Sequence, residues 1–198
     1  MNLVELTKEL MAIESISGNE QAVGKFLGEY LESLGYEVEL QEVVDGRCNV
    51  IAWASDDPQV FLSTHMDTVP PFIPPTEDDE KIYGRGSCDA KGIIASQIIA
   101  AENLRKQGID KIGLLYTVDE EESGAGARVA NDHRMAEKCK YLINGEPTDL
   151  DLAIGSKGSL RMTLSTSGKA AHSAYPEMGD SAIEKILDVL QDVLKTDL

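Results

Sequence analysis

Histidine and carboxylate side chains recur in this sequence just after short apolar runs, where a metal ion and a water molecule can both use them. His65 and Asp67 stand two apart in STHMDTVP, residues 63 to 70. Asp89 lies in the glycine-rich YGRGSCDAKG, Asp119, Glu120 and Glu121 follow the apolar KIGLLYTV, and Glu146 sits in NGEPT. Side chains two apart on extended backbone point the same way, so Asp67 can accept a hydrogen bond from the His65 ring nitrogen that faces away from a metal. Adjacent Glu120 and Glu121 must point to opposite sides. One can bind metal while the other faces the water beside it. Carboxylates gathered at one place repel one another and raise one another's pKa unless a cation neutralises them, which a divalent metal does. The expectation is one metal site assembled from four separate segments.

Those segments need a frame that brings them to one edge. Apolar residues at helical spacing predict a helix from Leu3 to Ile13. The Ser-x-x-Glu pattern of Ser17 to Glu20 has the form of a capping box opening a second helix, with Gly35 as its left-handed stop. YEVELQEV (36–43) and RCNVIAWAS (47–55) read as neighbouring strands, and QVFLSTH (59–65), KIGLLYTV (111–118) and KYLIN (140–144) as buried ones. Helices are predicted over residues 93–107 and 127–138. Strands alternating with helices predict an α/β fold, a mainly parallel sheet with helices on both faces, and in such sheets ligands gather at the carboxyl ends of strands. His65, the 119–121 acids and Glu146 all follow strands. Asp89 precedes a helix.

Composition narrows the function classes. The chain has 198 residues, 42% hydrophobic and 27% charged, enough for one sizeable core and part of a second. A formal net charge of −17 argues against nucleic acid and anionic membrane as partners. TEDDEK (76–81) and DGR (45–47) read as solvated turns. The first residues carry acids and lack a basic segment before an apolar core, no run is long enough to span a bilayer, and Cys48, Cys88 and Cys139 are scattered. A cytoplasmic protein with reduced thiols is expected.

STHMDTVP, YGRGSCDAKG, TVDEEESGAGA, NGEPT and GKAAHSAYPEMGDSA together resemble, in order, the motif series of the zinc-dependent deacylase and exopeptidase family that includes acetylornithine deacetylase, succinyl-diaminopimelate desuccinylase and bacterial glutamate carboxypeptidase. The resemblance implies two Zn2+ ions, replaceable by Co2+, with His65 and Glu146 on the first, Glu121 on the second and Asp89 bridging them. It also implies that Asp67 orients His65, that Glu120 is the general base, and that the Asp89–Ala90 peptide is cis. Asp119 sets the register of the acidic run, and Glu122 is left without a role.

Residues 1–157 are expected to form the catalytic metal-binding domain and 158–198 the start of a smaller α+β lid. The lid would open with GSLRMTLSTSGKAAHSA (158–174), read as one edge strand and a loop, and carry an amphipathic helix with Ile183, Ile186, Leu187, Leu190 and Leu194 on one stripe. By the resemblance this lid pairs two subunits, and His172 reaches into the partner's site to stabilise the oxyanion. His133 is expected on an outward helix face. The family's later second-metal histidine has no match here, so the chain reads as a fragment that holds at most one metal tightly and hydrolyses amides near background. The expected substrate of the whole enzyme is an N-acyl amino acid, with a dipeptide as the alternative. A non-catalytic metal-binding domain is the contrasting reading.

Overall fold

A computed structural model describes residues 1–158 and 162–196, which divide into two compact units, Met1–Leu152 and Ala153–Leu198. The first unit opens with α1 (Leu3–Ala12), where Asn2 and Glu5 form a reciprocal capping box that satisfies helix-end N–H groups. Helix α2 (Gln21–Ser33) stops at Gly35, whose φ of +86° a side chain would resist. Strands β1 (Glu37–Val44) and β2 (Arg47–Trp53) form a hairpin across the Asp45-Gly46 turn, and β3 (Val60–His65) follows. A two-stranded ribbon of β4 (Thr76–Glu77) and β5 (Ile82–Tyr83) precedes α3 (Lys91–Arg105). Then come β6 (Ile112–Thr117), α4 (Ala125–Ala130) and β7 (Tyr141–Asn144).

The five-stranded sheet runs β1-β2-β6-β3-β7. Four of its five strands, β1, β6, β3 and β7, run the same way, as expected of a mainly parallel sheet, and β2 runs against them: β3 pairs parallel with β6 and β7, while β2 pairs antiparallel with β1 and β6. The reason lies in the connections. A two-residue turn forces β1 and β2 antiparallel, whereas the link from β3 to β6 passes through α3 and allows the parallel crossover. Alternate residues separate the two faces. Val50, Ala52, Leu114 and Tyr116 pack with α1, α2 and α3 into the main core; Ile51, Trp53 and Phe61 face the other way and pack with Met135.

That second face departs from expectation. The predicted helix over 127–138 is a short α4 followed by turns, and His133, expected to face outward, is 8% exposed. Its Nδ1 accepts the Met135 N–H and its Nε2 lies 3.1 Å from Glu39 Oε1, so the chain curls inward to bury Met135 instead of continuing as a helix. The Ser17–Glu20 pattern is no capping box either. Glu20 is the residue before α2, its side chain makes no cap bond, and both side chains are engaged elsewhere.

In the second unit, α5 (Ala182–Val193) starts at Ser181, whose hydroxyl accepts the Glu184 N–H. Lys169 and Asp180 exchange both main-chain hydrogen bonds. Within the stretch expected to hold an edge strand and a loop, residues 162–168 are not in strand conformation, and residues 159–161 lie outside the described residues. The apolar stripe of α5 is exposed at Ile183, Leu187, Leu190 and Leu194.

Candidate metal centre

His65 is the last residue of β3, and the parallel register places it beside Thr117 at the end of β6. The acids that follow β6 therefore begin where His65 ends. Ser63 pairs with Asn144 at the end of β7, which carries Glu146 to the same edge. Asp89 arrives from the loop before α3, and the peptide bond between it and Ala90 is cis, as the resemblance implies. His65 Nε2 lies 2.9 Å from Asp89 Oδ1 and 3.9 Å from Glu146 Oε2. Donor atoms of His65, Asp89 and Glu121 all fall within 4.8 Å of one another. One imidazole and two carboxylates at that spacing fit a divalent ion that takes nitrogen and oxygen donors. Glu120 and Glu121 part company. Glu120 lines a cavity of about 460 Å³ together with His65, Glu146, Phe61, Leu115 and His133, while Glu121 joins the metal-sized cluster.

The electrostatics describe a site that wants a cation. Burial alone would lower the His65 pKa, but hydrogen bonds and charge from Asp67 and Asp89 prevail and raise it to about 10. Desolvation raises the Glu121 carboxyl above its ordinary value, and the Asp89 charge adds to the rise. Glu146 is raised mainly by desolvation, against the pull of His65. A proton on His65 does in part what a metal ion would do for these acids.

Asp67 has more work than its spacing suggested. His65 Nδ1 makes its shorter contact, 2.9 Å, with the Asp67 main-chain carbonyl and lies 3.4 Å from the carboxylate. The carboxylate, fully buried, accepts the N–H groups of Glu120 and Glu121 at 3.1 Å each and the Ser17 hydroxyl at 2.7 Å. Burial would raise its pKa, yet the His65 and Ser17 hydrogen bonds and those two N–H groups hold it below the usual carboxylate range. Asp67 thus ties the end of β3 to the acidic turn.

His65, Asp67, Asp89, Glu120, Glu121 and Glu146 all lie at this strand edge. His172 belongs to the second unit, where it is exposed and its Nδ1 accepts the Ala174 N–H. Sequence reasoning missed Glu20, Arg47 and Ser17, which contact Asp67 or Asp119. It also missed Lys91, 1% exposed, whose ammonium donates to the Ile13 carbonyl and ties the Asp89 loop to α1. A charged residue opening an apolar helix was the available signal for Lys91.

Comparison with known proteins identifies the family. The chain is 44% identical over 206 residues to a peptidase M20 domain-containing protein of Schizosaccharomyces pombe, covering 100% of this chain and 51% of that protein. It is 40% identical over 216 residues to a probable carboxypeptidase of Emericella nidulans, covering 97% and 51%. Among solved structures, a tripeptidase from Staphylococcus aureus superposes with a TM-score of 0.69 at 23% identity, over 96% of this chain and 55% of that one. The chain spans about half the length of the curated relatives it matches. The model of the family described as peptidase family M20/M25/M40 matches residues 61–196, which takes in every candidate ligand, and the chain belongs to that family.

Proposed function

We propose that this chain carries the metal-binding half-site of a hydrolase that cleaves a peptide bond in a small peptide, with water as the nucleophile. The observation that carries the reading is the convergence of His65, Asp89 and Glu121 beside a cavity-facing Glu120. When bound, a divalent ion would polarise the scissile carbonyl and lower the pKa of the attacking water. His65 and Glu146 would hold one Zn2+, Glu121 a second, and Asp89 both; Co2+ suits the same donors. Glu120 takes a proton from the water as its oxygen bonds to the carbonyl carbon, then returns that proton to the amine as the C–N bond breaks. Asp67 keeps His65 and the acidic turn in place.

A peptide is preferred to an N-acyl amino acid because the relatives at about 40% identity carry the name carboxypeptidase. The N-acyl reading rests only on the short stretches GEPT and AIGSKGSL. We read the second unit as the beginning of a lid that pairs subunits, with His172 donating to the oxyanion. The family match, continuous to residue 196, supports that reading.

Zinc titration of the chain and of His65→Gln, with hydrolysis assays of dipeptides, tripeptides and N-acetyl amino acids by the protein containing it, tests the proposal. Metal uptake that His65→Gln abolishes, and peptide cleavage that Glu120→Gln abolishes without loss of metal, are expected. A chain that takes up no zinc would sink the metal reading; cleavage of the N-acetyl amino acids alone would sink the peptide.

A further inference from the structure

The turn that presents Glu120 and Glu121 is braced from below by buried charge that hydrolysis itself does not call for. Arg47 is the first residue of β2, and the antiparallel register that pairs Val50 with Tyr116 brings Arg47 opposite Asp119 when it is run on. One guanidinium nitrogen, Nη1, lies 3.1 and 3.2 Å from the two Glu20 carboxylate oxygens and 3.2 Å from Asp119 Oδ1. The Glu20 side chain has no exposed surface, and its Oε1 also accepts the Asp119 N–H at 3.2 Å. Asp119 has a φ of +64°, a left-handed conformation that a residue with a side chain adopts reluctantly. From there the next two N–H groups both turn onto Asp67, and Asn49 accepts the N–H of Val118 just before the turn.

A buried ion pair adds little net stability compared with apolar residues of the same size, so its presence under this turn calls for another role. Neither Glu20 nor Arg47 belongs to the metal-sized cluster or lines the cavity. What the pair does touch is Asp119, the residue from which the chain enters Glu120 and Glu121.

We propose that Glu20 and Arg47 are positioning residues: their buried ion pair holds Asp119 in its left-handed conformation, and so sets Glu120 toward the cavity and Glu121 toward the metal cluster. The inference rests on the reading of Glu120 and Glu121 given above. It makes the stretch from Ser17 to Glu20 part of the site, since Ser17 secures Asp67 and Glu20 secures Asp119.

The test uses the double variant Glu20→Gln/Arg47→Met, which removes both charges together and leaves no unpaired buried ion. Amide hydrogen exchange at Glu120 and Glu121 reads the turn, and Co2+ titration with its visible absorption reads the consequence. Exchange at both amides should quicken and Co2+ affinity should fall about 10- to 100-fold, the usual effect of losing a group that orients a ligand. Leu31→Ala, at the far end of α2, serves as a control that lowers melting temperature without changing either readout. Arg47→Lys, which keeps a cation over both carboxylates, should restore most of the affinity. Unchanged exchange in the double variant, or quickened exchange with unchanged Co2+ affinity and spectrum, would overturn the proposal. Wild-type chain without any Co2+ signal would instead bring down the metal reading on which the proposal stands. If the double variant fails to fold by circular dichroism, an Arg47→Lys chain with normal exchange but Co2+ affinity as low as that of His65→Gln would count against it.

Discussion

Asp67 shows how one carboxylate can serve two elements at once. It takes three donors, from Ser17, Glu120 and Glu121, in addition to its approach to His65. Asp67→Asn keeps the shape but places an amide N–H2 where N–H donors already point. Zinc titration should show a loss of about 10- to 100-fold in affinity, and thermal unfolding a loss of about 1–3 kcal/mol in stability. The His-x-Asp spacing made Asp67 visible in the sequence because both residues sit on one extended stretch. Glu20 and Ser17 were invisible for the opposite reason. Their pattern matches a local cap, and only contacts to residues 50 or more positions away show that neither is used locally. His133 was misplaced because a polar stretch at helical spacing does not report that the chain folds back over the sheet.

Elements bring the donors together, and glycine sets how closely they can pass. Gly92 lies in the first turn of α3, and a Cβ there would overlap the Ser87 carbonyl oxygen in the loop that carries Asp89. Replacing a helical glycine by alanine ordinarily gains up to about 1 kcal/mol. Here Gly92→Ala should destabilise the chain by about 1–3 kcal/mol, the range for overpacking, because a backbone atom must move. Thermal unfolding checks the sign, and a zinc titration checks that Asp89 is displaced with the loop. The strands were legible from their apolar runs and turn residues, and the strand-end rule placed His65, Glu120 and Glu146 together. The strand order of the sheet was not legible, since nothing local says that β6 inserts between β2 and β3.

For the first unit as a whole, two buried phenols set an alkaline limit. Desolvation by burial, helped by the nearby Glu102 charge, pushes the Tyr36 pKa up to about 12, and full burial pushes Tyr116 well above its ordinary value. A folded pKa above the unfolded one means that the stability these phenols contribute is fully present below pH 10 and is lost as pH rises through 12. Denaturant titrations from pH 8 to 12 should show that loss beginning above pH 10, and Tyr36→Phe should reduce it. The outer edge of β7 sets another limit. It pairs only with β3 among the described residues, and Tyr141, Leu142 and Ile143 are 69%, 56% and 56% exposed. An apolar unpaired edge invites strand pairing. Sedimentation should show concentration-dependent self-association of the chain, reduced by Ile143→Lys.

The Asp119 N–H donates to Glu20, 99 positions away, and the Asp119 carboxylate accepts from Arg47, 72 positions away. Contacts of such long sequence separation close large loops, and chains dominated by them fold slowly. The bonds that reach Asp119 from Glu20 and Arg47 can therefore form only once the amino-terminal third of the first unit has folded. A cobalt signal followed during refolding should rise with the slowest step that restores native structure and not with the early growth of helices, so that metal uptake keeps time for the completion of the fold.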